Sequence, residues 1–306
     1  MPAVLTLVLM LMPVLVPVLV LVLTPMPAQA AEPQAVLTLL EGEATVVIGS
    51  RAYAAATGAR LGAGAIVETD AKATLLRLEW PSGAMLDLGP ATRVMLRLPQ
   101  VYLLQGWAKQ SQTTAAPGPL TSAFDVQAFK GVLVSQVDGN TTVLFAESGD
   151  KQLSARRSGK PLTLAGSQAA VQGADGGVQV IPRPPAGWLQ SLPRAFRDTL
   201  PPKAAQFKGP PPVLKARLAH QAHQALSYAA LQPWLTAEAL VRHDFPTRFA
   251  ALLQDPEFRS SVLTHLRQHP EWETTLHPAG RAKLLLKPMP KPSSVPNAST
   301  DPEPPR

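Results

Sequence analysis

Cysteine is absent from the 306 residues. That absence excludes a disulfide framework, thiolate zinc sites and a cysteine nucleophile, so the fold must rest on packing alone. No nucleophile elbow, phosphate loop, His-Glu-x-x-His zinc signature or dinucleotide fingerprint occurs anywhere in the chain. The sequence therefore nominates no catalytic, cofactor-binding or metal-binding residue and implies no cofactor. A non-enzymatic protein is expected, a hydrolase built on an unsignalled Glu or Asp pair being the enzymatic alternative. Aromatics are scarce, at 5%. Proline is abundant, at 33 residues, and clusters in the first 30 positions, residues 182–212 and the tail from Pro288, segments that resist regular structure.

The net charge of +7 is unevenly placed. Residues 31–182 carry 12 basic and 12 acidic side chains, whereas residues 183–306 carry 16 basic, 9 acidic and all six histidines. An electrostatic partner is expected at the C-terminal part.

Residues 3–23 form an uncharged apolar run followed by Pro25, Met26, Pro27 and the small residues Ala28, Ala30 and Ala31. This reads as a signal peptide over residues 1–30, cut between Ala30 and Ala31. A retained membrane anchor is the alternative, weakened by Pro13 and Pro17, which interrupt a helix. The protein is thus expected in the periplasm or secreted, in contact with a membrane only if the segment is kept.

From Val36 the pattern becomes short apolar stretches such as Ala44–Ile48, Thr74–Trp80, Met85–Leu88 and Val94–Leu98, separated by turn formers every 8 to 12 residues or so. Residues 31–182 are therefore expected to form a mainly β domain of many strands, a sandwich, barrel or solenoid. With few aromatics, each strand buries a modest area. Glu41, Glu43 and Asp87 are the carboxylates that invite an acid-base reading; alternation places Glu41 and Glu43 on one strand face, most simply a wet one.

Within this stretch, Gly42, Gly58-x-x-Leu61-x-x-Gly64-x-Ile66-x-x-Thr69 and Ala73-x-Leu75-x-x-Leu78 are followed by Pro81-Ser-Gly83, Leu86-x-Leu88-Gly89-Pro90-x-Thr92, Val101-x-Leu103 and Gly106. Phe124-x-Val126, Gly131, Val143 and Gly149 come later. This order resembles the FecR domain over about 120 residues. The chain departs from the family at Gly64-Ala65 and Gly131-Val132, where Gly-Asp and Gly-Thr are usual, which puts polar contacts made there in doubt. The resemblance implies a periplasmic sensor domain that relays the state of an outer-membrane receptor. Family members of the full kind carry a cytoplasmic anti-sigma region before a membrane helix, whereas two residues precede the apolar run here, so direct control of a sigma factor is not expected.

Residues 183–211 read as a stiff Pro-rich linker, with Trp188–Leu192 and Ala195–Leu200 able to form helical turns docked on a neighbour. Residues 212–278 are expected to form three short helices: one over 213–231, one after Thr236 as N-cap and broken by Pro246, and one opened by Asp255-Pro256. Residues 279–306 are expected to be disordered. His220 with His223, and His265 with His269, have the spacing of one helix face, but surface histidines are the plainer reading. Lys203, Lys208, Lys215, Arg217, Arg242, Arg248, Arg259 and Arg267 form the basic set. The functional expectation is a binding or sensing module of a bacterial envelope that recognises a protein or ligand. The alternative is an envelope scaffold adhering to cell-wall polymer through its basic helical part. Nucleic acid is not an expected partner.

Overall fold

The computed structural model describes residues 34–198, 200–214 and 226–277. The proposed leader, most of the helix expected over 213–231, His220, His223, Lys215, Arg217 and the tail beyond 277 lie outside them. As the sequence implies, the fold is mainly β. Sixteen strands belong to one hydrogen-bonded sheet that folds back on itself as a sandwich.

The strands are β1 (Ala35–Glu41), β2 (Ala44–Ile48), β3 (Arg51–Ala54), β4 (Arg60–Leu61), β5 (Ile66–Thr69), β6 (Leu75–Glu79), β7 (Met85–Leu88) and β8 (Arg93–Arg97). There follow β9 (Gln100–Ala116), β10 (Pro119–Leu120), β11 (Phe124–Asp138), β12 (Thr141–Ser148), β13 (Lys151–Ala155), β14 (Lys160–Leu164), β15 (Ala169–Gln172) and β16 (Val178–Ile181). Every pairing is antiparallel except β9 with β10.

β9 and β11 are long enough to serve both layers. Residues 100–105 of β9 pair with β8, and residues 108–111 pair with β7. β11 pairs with β13 through residues 124–129 and with β12 through residues 132–138. One layer accordingly runs β4-β1-β6-β7-β9-β11-β12-β15-β16, and the other runs β3-β2-β5-β8-β9 and on through β11 to β13 and β14. Each long strand turns at a glycine of positive φ, Gly106 (+92°) and Gly131 (+93°). A Cβ at Gly106 would stand 2.5 Å from Thr92 Cα, and one at Gly131 2.3 Å from the Ser148 carbonyl oxygen, so no other residue fits either bend.

The sandwich encloses two apolar cores. The first joins Leu37, Leu76, Leu78, Leu86 and Leu88 of one layer to Val46, Val67, Val94, Leu96 and Leu103 of the other. The second gathers Phe124, Val126, Phe129, Leu133, Leu144, Leu153 and Leu164 at the far end.

The outer faces of both layers carry apolar patches as well, and the C-terminal part covers each. Leu75, Val134, Val143 and Ala169 of the first layer pack against Trp188 and Phe196. These belong to α1 (Ala186–Ser191) and a 3₁₀ turn at Arg194–Arg197. Trp188 meets Trp107 at 5.2 Å and Phe145 at 5.9 Å between ring centres. The Pro-rich stretch is thus strapped to the sheet through the aromatics that the sequence marks as docked.

Over the second layer, Val47, Ile66, Met95, Tyr102 and Leu120 share a core with Leu231, Trp234, Val241, Phe245, Phe249, Phe258 and Trp272. The covering helices are α2 (Tyr228–Leu235), α3 (Ala239–Arg242), α4 (Phe245–Arg248), α5 (Pro256–Thr264) and α6 (Glu273–Leu276). Asp255 caps α5 as expected, its carboxylate accepting from the amides of Glu257 and Phe258, with Pro256 at the first position. Thr236 departs from expectation. It closes α2 instead of opening the next helix, its hydroxyl donating to the Gln232 carbonyl at 2.9 Å. Ser227 does the N-capping of α2, accepting from the Ala230 amide. Pro246 sits in the first turn of α4, where a missing N–H costs nothing, and so starts a helix where a break was expected.

Candidate functional site

An open depression of about 370 Å³ lies on the rim of the second layer beside α2. Alternation along β2, β5, β8 and β9 brings Thr45, Glu68, Arg93 and Gln105 to it, with Asp70 just beyond β5. Its polar groups already hold one another. Trp234 Nε1 donates to Glu68 Oε1 at 2.6 Å, Arg93 Nε lies 3.6 Å from the same oxygen, and Arg93 Nη1 donates to Gln105 Oε1 at 2.7 Å. Asp70 accepts from the Lys72 amide at 3.1 Å. The depression can receive a small polar solute, and its strongest contacts tie α2 to the sheet. A smaller one, about 220 Å³, is lined by Gly64, Met95, Leu96, Arg97, Val241, His243 and Asp244.

The most concentrated electrostatics lie on the outer face of the first layer, beneath the strap. Arg77 and Asp87 are direct cross-strand neighbours. Nε and Nη2 of Arg77 donate to the two carboxylate oxygens at 2.6 and 2.7 Å, and Nη1 donates to the Leu200 carbonyl at 2.9 Å. The hydrogen bond to Asp87 raises the Arg77 pKa above its ordinary value. Two residues along, buried Glu79 accepts from the Thr38 hydroxyl at 2.7 Å and from the amides of Lys203 and Ala204 at 2.9 Å. Those amides open the 3₁₀ turn Ala204–Gln206, whose partial positive charge suits a carboxylate. Lys109 donates to the Phe196 carbonyl at 2.6 Å and pairs with Glu147 at 3.0 Å. This network fastens the strap.

Lys151, at the start of β13, is fully buried. Its ammonium donates to the carbonyls of Lys130, Ser148 and Gly149 at 3.0, 2.6 and 2.9 Å, which satisfies all three N–H groups where β11 bends. Burial lowers its pKa to about 8. Tyr102, buried between the sheet and α3, has its pKa raised by burial and by Glu238.

The carboxylates singled out in the sequence have separate fates. Glu41 is exposed and accepts from the Thr74 hydroxyl at 2.9 Å, and Glu43 is also exposed. Asp87 lies in the layer on the other side of β6 from β1, held by Arg77. Arg77, Glu79 and Lys109 carried no signal strong enough to be nominated. The available clue was their spacing: Arg77 and Glu79 alternate with Leu76 and Leu78, which places them on the face opposite the core.

His265 and His269 flank a turn after α5 and do not share a helix face. Nδ1 of His265 lies 2.9 Å from the Ser261 carbonyl oxygen, and its ring stacks on Tyr228 at 5.2 Å. His269 is fully buried, with neither ring nitrogen hydrogen-bonded. Among the described residues, no group of three or more His, Cys, Asp or Glu side chains is placed to hold a metal ion. No described helix is long and apolar enough to cross a membrane.

The basic residues of the helical segment are partly committed inward. Arg242 forms a charged pair with Glu271. Arg248 donates to the carbonyls of Gly49 and Val47 at 3.1 and 3.3 Å and lies over the Phe249 ring. Arg156 pairs with Glu238, and Arg97 donates to the Leu240 carbonyl. Arg259 and Arg267 are exposed.

Among the described residues, four strands end the layers, and three have guarded edges. β4 is two residues long, and its Arg60 donates to the Gly209 carbonyl at 3.1 Å. β3 opens with exposed Arg51, and β14 opens with Lys160-Pro161. β16 reads Val178-Gln-Val-Ile181, has neither charge nor proline, and leaves Val180 39% exposed. Among the described residues it pairs only with β15.

No family model matches the chain, and no curated protein matches it. Two crystal structures of a candidate anti-sigma factor from Parabacteroides distasonis are similar to it, at 13% and 14% identity and a TM-score of 0.35 in both cases. Each alignment covers 41% of this chain and 64% or 65% of the other, so the chain spans a little under two thirds of their length.

Proposed function

We propose that this chain is a non-enzymatic binding or sensing module of a bacterial envelope, FecR-like in its β part, which recognises a protein partner by strand addition at β16. The observation that carries this reading is the contrast among the four end strands. An open edge without Lys, Pro or a bulge offers a row of unpaired N–H and C=O groups, and natural sheets usually guard such edges. Strand addition takes its affinity from those main-chain groups and its specificity from alternate side chains. Here Val180 supplies the apolar contact.

Export supports the same reading. The apolar run ending in Ala28-Gln-Ala30 directs the chain out of the cytoplasm, and a mature start at Ala31 leaves three residues before the first described position. Wall-polymer adhesion through the helices is the less favoured reading, because Arg242 and Arg248 are committed to Glu271 and to sheet carbonyls.

The test is a crosslinking capture from the envelope with the full exported chain, comparing wild type, Val180→Lys and the exposed-site control Leu263→Lys. Capture of a protein that falls at least about tenfold with Val180→Lys alone is expected, that being the loss of roughly 1.4 kcal/mol of association energy. Equal capture by all three overturns the edge reading. N-terminal sequencing of the chain recovered from the same fraction is expected to begin at Ala31.

A further inference from the structure

We infer that His269 is an acid-operated latch, whose protonation releases the helical segment from the outer face of the second layer. The ring has no exposed surface, and neither Nδ1 nor Nε2 finds a hydrogen-bond partner. A neutral imidazole can be packed in this way at modest cost. An imidazolium, with a charge sealed from water and no side-chain acceptor for its N–H donors, cannot.

The groups around it offer the charge little relief, the Val262 backbone and Glu271 being outweighed by burial. From α2, Tyr228 lies 5.9 Å from the His269 ring, and its own hydroxyl is buried without a partner. Beyond α5, the His265 ring stacks on the same tyrosine at 5.2 Å and brings a second imidazole to the cluster. Arg242 of α3 adds a fixed positive charge, and the one acid acting on the ring, Glu271, is gripped by the Arg242 guanidinium through both carboxylate oxygens. Burial holds the His269 pKa below its ordinary value, with Arg242 and His265 acting in the same direction and the backbone of Val262 and Glu271 opposing.

The consequence for docking follows from linkage. An undocked His269 takes its ordinary pKa of about 6.5, so the undocked state binds more protons below that pH and the docked state loses ground as pH falls. Each pH unit weakens docking up to about tenfold until the buried ring itself titrates. What is released is an apolar face: Val47, Ile66, Met95, Tyr102 and Leu120 lose their cover of Leu231, Trp234, Phe245 and Phe249. The sandwich interior is a separate core with no histidine in it and is left intact. The latch is independent of the partner edge at β16, which lies at the end of the other layer.

Hydrogen exchange on the full chain at pH 7.5 and 5.5, with protection factors corrected for intrinsic exchange, tests this. Protection in α2 and α5 is expected to fall about tenfold at the lower pH, while β6 and β11 are unchanged. His269→Leu is expected to abolish the fall and His265→Gln to retain it. Equal protection at both pH values in the wild type, or the same fall in His269→Leu, overturns the latch. Should His269→Leu not fold, NMR titration of the wild-type imidazoles decides, since a His269 pKa at or above about 6.5 overturns the proposal.

Discussion

Arg77 and Asp87 show what a charged residue does when its strand face is closed. In water the pair would contribute little; beneath the strap it is 6% and 9% exposed and bidentate, so each charge is tolerable only while the other remains. Asp87→Ala is expected to cost about 3 to 5 kcal/mol in urea unfolding, because it strands a buried guanidinium. The double replacement Arg77→Met with Asp87→Leu is expected to cost markedly less, since no charge is then left unpaired. Equal losses in the two variants would mean that packing, not charge, holds the strap. The Arg77 and Asp87 positions were readable as strand residues, but not as buried ones, because the cover comes from residues 196–204, more than a hundred positions along the chain.

At the level of elements, the two long strands depend on their bends. Gly131→Ala puts a methyl group against the Ser148 carbonyl and forces φ +93° on a residue with a side chain, and a loss of at least about 2 kcal/mol with weakened β11–β12 pairing is expected. Gly139→Ala, at the open tip of the β11–β12 hairpin with nothing within 4 Å, is expected to cost only about 1 kcal/mol. Paired thermal melts of the two variants check the difference. Turn glycines were legible because backbone chirality selects them locally. Helix ends were legible only where one residue made its own case. Asp255-Pro256 satisfies two amides within a single turn, whereas Thr236 fits either end of a helix until the packing of Trp234 and Leu235 fixes the direction.

For the whole molecule, the β part and the C-terminal part are interdependent, since both outer faces of the sandwich carry apolar patches that are closed by residues beyond 185. A chain ending at residue 182 is expected to stay β-rich by circular dichroism but to aggregate, whereas the chain to residue 277 stays monodisperse in light scattering. A monodisperse fragment would mean that the cover is dispensable. The sequence by itself determined the mainly β class, the turn positions, the α5 cap and the docked aromatics of the strap, because these follow from local backbone preference and short-range periodicity. Only the tertiary structure decided that strands such as Leu75–Glu79 are buried on both faces, that Glu79 and Arg77 anchor a distant segment, that His269 is sealed in a core, and that β16 is the unguarded edge. Those are matters of which distant surface comes to rest on which face, and a periodicity of two along a strand defines its faces without saying what covers them.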